Sequence, residues 1–223
     1  MTDFKPLTHM GIFNRIFQRK PSASLDSVSF DTNGYRYDGE TDGHRTWFTP
    51  DGDGIGLFFF PEAPGLPAQA QTSAELQAFY RGRVCNEQVN MVEFRLVTIT
   101  GITCIWMVLK IPRQPHGMTY IGSLTIPFAE FSFVIKMQCE EHGITGVREA
   151  ALFLIAQQQG TVQIAADGKL GGDWNPDDER YDTKFPDHPV SRLRRGFARI
   201  MATLRVQEAA KNARRFQLPT EAA

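Results

Sequence analysis

The chain has 223 residues, of which 42% are hydrophobic, 22% charged and 11% aromatic, with a formal net charge of -1. That length suits one large domain, or one domain with appendages, of ordinary globular composition. A charge so close to zero excludes a global field for nucleic acid or an anionic membrane, and no apolar run reaches the length of a membrane span.

The opening residues, MTDFKPLTHMGIFNRIFQRK, lack the basic, apolar, small-residue order of a secretory signal. Ile12, Phe13, Ile16 and Phe17 make an apolar stripe beside Arg15, Arg19 and Lys20. This pattern fits a short amphipathic helix for a membrane surface or a partner, or a terminal segment docked on its own domain. Lys20 to Ser27, KPSASLDS, reads as a linker, so residues 1–28 form an N-terminal segment and linker.

Short β-type runs follow: SFDTNGYRY, RTWFTP and IGLFFFP, each bounded by Gly, Asp or Pro. The third lies in FTPDGDGIGLFFFPE, where Asp51, Asp53, Gly56 and Glu62 match positions one, three, six and twelve of a calcium loop. Ile55 stands where an oxygen ligand is needed, and Pro61 where a helix should begin. The stretch therefore reads as an Asp-Gly turn feeding a strand. Thr72 and Glu75 next form a capping box, predicting a helix with Leu76, Phe79, Tyr80 and Val84 on one face.

The middle of the chain carries the strongest pattern. VNMVEFRLVTI, ITCIWMVLKIP, MTYIGSLTIPF and FSFVIKMQCE are separated by short breaks, which predicts a four-stranded antiparallel meander. ITCIWMVLKI is apolar on both faces, as expected of a strand covered on both sides. In the last run, Phe131, Phe133, Ile135, Met137 and Cys139 point one way. A helix follows, with Thr145 as N-cap, Val147, Ala151, Leu154 and Ile155 toward the sheet, and Gly160 at its end. An acidic, aromatic loop then leads into VSRLRRGFARIMATLRVQEAAKNARR. This reads as one long basic amphipathic helix, with Leu193, Phe197, Ile200, Met201 and Leu204 on its apolar face. The expected fold is α+β: about 6–7 antiparallel strands flanked by helices over residues 29–160. Residues 161–223 form a C-terminal extension packed on the same domain.

The strand GIGLFFFPE, the helix TSAELQAFY and the run YIGSLTIPFAEFSFVIKMQCEEHGITGVREAALF together resemble the PsbP-like α/β sandwich, which includes DcrB-like proteins. The resemblance covers roughly residues 30–160. It implies a non-catalytic binder, with no shared active site to carry over.

Candidate sites are sparse. Cys85, Cys104 and Cys139 form no CxxC and read as reduced thiols of a cytoplasmic protein. The five histidines, His9, His44, His116, His142 and His188, show no metal spacing, and no phosphate loop is present. No cofactor is therefore expected. In DWNPDDERYDTKFPDHPVSRLRR, the acids Asp173, Asp177, Asp178, Glu179, Asp182 and Asp187 precede Arg192, Arg194, Arg195 and Arg199. The two halves neutralise one another or present a surface to a partner. Trp174, Tyr181, Phe185, Arg194 and Arg195 are the binding candidates, because aromatics beside arginine are enriched at interface hot spots. The leading function is a protein-binding module, an accessory, chaperone or immunity-type protein of a bacterial secretion system. Its partner is another protein or a second copy of the chain. The alternative is a small-molecule binder or hydrolase with a pocket between sheet and helices, using Cys85, His116, His142 and Asp187.

Overall fold

The computed structural model describes residues 23–67, 70–164, 170–172 and 174–219. The N-terminal stripe of Ile12, Phe13, Ile16 and Phe17, together with His9 and Asp173, lies outside these residues.

A single-turn 3-10 helix, Leu25–Ser27, precedes the short strand β1 (Val28–Ser29). Then come β2 (Arg36–Thr41), β3 (His44–Phe48), β4 (Gly54–Phe60) and helix α1 (Ser73–Val84). Four long strands follow: β5 (Asn90–Ile99), β6 (Ile102–Pro112), β7 (Met118–Pro127) and β8 (Ser132–Glu140). After them lie α2 (Val147–Gln158), the short pair β9 (Val162–Ile164) and β10 (Leu170–Gly172), α3 (Pro189–Thr203), β11 (Arg205–Val206) and α4 (Glu208–Lys211).

The chain folds as α+β around one seven-stranded sheet in the order β2-β3-β4-β8-β7-β6-β5, with every neighbouring pair antiparallel. After β4 the chain crosses through α1 to the far edge. The expected meander then runs back strand by strand until β8 pairs with β4. Period-two alternation sorts the side chains onto two faces. On one face Phe133, Ile135, Met137 and Cys139 of β8 join Tyr120, Leu124 and Ile126 of β7, all buried. α3 packs on this face through Leu193, Phe197 and Ile200, with the Trp106 and Phe197 rings edge-to-face at 4.5 Å. The helix comes so close because Gly122 lies beneath it: a Cβ there would meet Phe197 at 2.7 Å and Leu193 at 2.8 Å.

The opposite face is covered by α1, whose Leu76 packs with Leu96 and Ile105. Its start follows the expected box: Thr72 Oγ1 accepts from the Glu75 N–H at 3.1 Å, and Glu75 reaches back to the Gln71 N–H at 2.8 Å. β6 is thus covered on both sides, by α3 over Trp106 and by α1 over Ile105.

Four local expectations differ from the structure. Ala23, Leu25 and Ser27, within the segment read as a linker, are buried, and β1 pairs with β11 through Val28 and Val206. That pairing also ends α3 at Thr203, so the long basic helix is broken where Arg205–Val206 takes up strand geometry. The α2 N-cap is Gly146 at φ 75°, one residue beyond Thr145. Finally, α2 is rotated from its expected orientation. Arg148, Leu152 and Ala156 form its buried face, while Val147 and Leu154 are 48% and 57% exposed. The cause is Arg148, whose guanidinium donates to the carbonyls of Pro176 and Asp178, to Asp182 and to Ser191 Oγ. Burying a fully hydrogen-bonded arginine turns the aliphatic residues outward.

Among the described residues, no helix is long and apolar enough to cross a membrane.

Candidate functional site

Among the described residues, the face of the sheet that α1 covers is only half covered. Over β3, β4 and β8 lies an open groove of about 650 Å³, lined by Thr46, Phe48, Gly54, Gly56, Phe58 and Lys136 among others. Strand alternation puts His44, Thr46 and Phe48 of β3 on this side, together with Phe58 and Phe60 of β4. The glycines of GDGIG make its floor flat, and the Phe58 ring lies over Gly56, where a Cβ would come within 2.6 Å of it. His44 stacks on Phe58 at 5.5 Å and Phe58 on Phe60 at 6.5 Å. Lys136 sits 5.5 Å from the Phe58 ring centre and Arg36 lies 4.8 Å from that of Phe48. Phe60 is 39% exposed. The nearby sheet edge is a poor template for strand addition, because β2 is short, charged and bulged between Tyr37 and Gly39.

The acidic loop and α3 are knitted together. Arg194 is largely buried and donates to Glu93 at 2.5 Å, to both oxygens of Asp182 at 2.8 and 3.0 Å, and to the Asp177 carbonyl at 2.5 Å. Arg195 is exposed, donating to the Pro186 carbonyl at 3.0 Å, with Asp51 4.0 Å away. Trp174 packs edge-to-face on Phe153 of α2 at 5.9 Å. Tyr181 lies under Arg180, and Phe185 faces Arg148 at 5.8 Å. The five sequence candidates therefore share a neighbourhood without forming one exposed patch. The loop is pinned to the domain, and four of the five take part in holding it there.

Between that loop and the sheet lies a buried polar cluster that periodicity did not single out. Asp177 accepts from the Tyr120 hydroxyl at 2.5 Å and from Lys110 Nζ at 3.2 Å, and Lys110 also donates to Glu149 Oε1 at 3.0 Å. Burial and the Asp177 charge together push the Tyr120 phenol well above its ordinary range. Burial alone would raise the Glu149 carboxyl, but the charge and hydrogen bond of Lys110 outweigh it and hold the group below its usual value. His188 caps α3 through Nδ1, which accepts from the Val190 N–H at 3.4 Å. Burial lowers its pKa to about 4, so the ring is neutral at pH 7. The only sequence signal for this cluster was polar residues at inward positions of strands and helices.

Of the four residues of the hydrolase reading, two come together. His142 and Asp187 line one shallow cavity of about 280 Å³ with Glu141, Arg148 and His188, and among the described residues its lining holds no Ser, Thr or Cys. Cys85 caps the end of α1, and His116 lies in the turn between β6 and β7.

No protein-family model matches the chain, and no curated protein matches it. Among solved structures, one from Bacteroides thetaiotaomicron VPI-5482 is similar at 9% identity and a TM-score of 0.36. The match covers 55% of this chain and 42% of that one, so this chain spans less than half its length. A Pseudomonas aeruginosa protein of unknown function is similar at 7% identity and a TM-score of 0.34, covering 57% of this chain and 87% of that one.

Proposed function

We propose that the chain is a non-catalytic protein-binding module that receives an amphipathic helix of a partner on the open half of its sheet. The half-covered face carries this reading. Seven strands about 4.8 Å apart span roughly 29 Å, whereas one helix with its side chains is about 10 Å wide. α1 therefore covers little more than the β5–β6 side, and a second helix laid over β4 and β8 would complete the layer. Phe48, Phe58 and Phe60 over a glycine floor offer the apolar centre, with Lys136 and Glu140 at the rim for steering.

The order of strands, capped helix, meander and helix supports a PsbP-like sandwich. With it we propose an accessory, chaperone or immunity-type role in the cytoplasm of a bacterium with a secretion system. The test is affinity capture from the native cell with the wild-type chain, Phe58→Asp and Leu154→Asp in parallel, followed by hydrogen exchange on any reconstituted complex. A partner lost only with Phe58→Asp, and protecting β4 and β8, supports the reading. One retained by Phe58→Asp, or lost only with Leu154→Asp, sinks it.

A further inference from the structure

His188 Nε2 and Glu149 Oε2 are both buried, both lack a hydrogen-bond partner among the described residues and lie 4.0 Å apart. Two unmet polar atoms at that separation are too far apart to satisfy each other, and leaving either unmet is costly. Two ligand atoms each about 2.0–2.1 Å from one tetrahedral ion lie about 3.3 Å apart, so a closure of under about 1 Å would let a single ion satisfy both. Glu141 completes the set. One carboxylate oxygen from it, one from Glu149 and one ring nitrogen of His188 all lie within 4.8 Å of one another.

We propose that Glu141, Glu149 and His188 form a site for a divalent transition-metal ion, of which Zn2+ and Mn2+ are the natural occupants. One imidazole with two carboxylates is a borderline donor set, unlike the all-oxygen shells of calcium and magnesium. Three protein ligands leave a coordination position for water. The supporting shell is already in place. Lys110 holds Glu149 Oε1, so that Oε2 is presented to His188. The Gly146 and Met118 N–H groups donate to the two oxygens of Glu141 at 2.6 and 3.1 Å, orienting its carboxylate.

Charge balance points the same way. Arg148 is matched by Asp182, leaving Lys110 against Glu141, Glu149 and Asp177. Two net negative charges then await a dication. The 280 Å³ cavity, lined by both Glu141 and His188, supplies an entry path. Ligation through Nε2 requires the Nδ1-protonated tautomer of His188. That gives up the 3.4 Å contact from Val190, which is at the long limit for a hydrogen bond. The ligands come from the β8–α2 corner, from α2 and from the N-cap of α3, which is why no local spacing announced them.

The test is calorimetric titration of the chelator-treated full chain with Zn2+, Mn2+ and Ca2+ separately. One Zn2+ or Mn2+ per chain is expected, with Ca2+ weaker. Glu149→Gln and His188→Gln should each weaken binding at least about 10-fold, whereas His44→Gln should leave it unchanged. Stoichiometric binding undiminished in both cluster variants, or no stoichiometric binding by the wild type, overturns the proposal. Should the variants misfold, wild-type crystals soaked in Zn2+ decide through anomalous scattering. A peak bonded to Glu141, Glu149 and His188 supports the site, and its absence there refutes it. The groove on the sheet is a separate surface, so neither result bears on partner docking.

Discussion

Asp53 and Arg192, 139 residues apart, meet in a buried fork: Nε donates to Oδ2 at 2.9 Å and Nη2 to Oδ1 at 2.8 Å. Arg192 also donates to the carbonyls of Glu140 and Asp187. One guanidinium thereby ties the β3–β4 turn, the end of β8 and the start of α3 together. Burial opposes the charge on Arg192, but Asp53 outweighs it, and the guanidinium pKa rises further. The second aspartate of DGDG is thus an anchor for α3, while Asp51 stays exposed beside Arg195.

Removing one partner of this fork leaves a buried charge uncompensated. Asp53→Ala is expected to cost about 3–5 kcal/mol, read as a lower midpoint in urea unfolding. Arg192→Lys should recover little of it, since an ammonium cannot make the planar pair. Unchanged midpoints would show that the fork contributes nothing.

The same contrast separates adjacent arginines. Arg194→Ala removes a buried guanidinium paired with Glu93 and Asp182, and should cost about 3 kcal/mol or more. Arg195→Ala removes an exposed side chain and should stay within about 0.5 kcal/mol of wild type. Thermal unfolding of the two variants side by side checks this.

Gly122→Ala places a methyl against Phe197 and Leu193 at under 3 Å. The expected loss is about 1–3 kcal/mol. Near-ultraviolet circular dichroism should report the displaced Trp106–Phe197 pair. An alanine variant of full stability would mean α3 sits farther from the sheet.

On α2, Leu152→Ala should cost about 2–5 kcal/mol, because Leu152 is buried. Leu154→Ser, on the outer face, should change stability by no more than about 0.5 kcal/mol. The reverse order would restore the orientation expected from periodicity.

The cysteines should react unequally. Cys104 and Cys139 are fully buried, and burial pushes the Cys104 thiol up to about 12 and that of Cys139 higher still. Cys85 is only half-buried at the end of α1. A thiol reagent at pH 8 should titrate one cysteine rapidly in the native chain and three after denaturation. Three rapid equivalents from the native chain would contradict the packing.

Much of the fold was legible because hydrophobic alternation is a local signal. Phe133, Ile135, Met137 and Cys139 fall on the buried face as their spacing requires, and the Thr72–Glu75 box starts α1 where it should. The rotation of α2 was not legible, since nothing near Arg148 in the chain shows that Pro176, Asp178, Asp182 and Ser191 are brought around it. Of the candidate residues, Arg195 lies on the surface, whereas Arg194, Trp174, Tyr181 and Phe185 hold the acidic loop. The Glu141–Glu149–His188 cluster left no motif at all.

By itself the sequence determined the α+β class, the antiparallel meander, the apolar face of α3 and the turn nature of DGDG. Each rests on periodicity or on backbone preference over a few residues. Only the tertiary structure decided which charges are buried and with whom, where α3 stops, which face of α2 is covered and which half of the sheet α1 covers. Those depend on partners distant in the chain, such as Asp53 for Arg192 and Val28 for Val206. Burial then makes an ion pair or an unmet polar atom cost several kilocalories, where the same residue exposed would count for little.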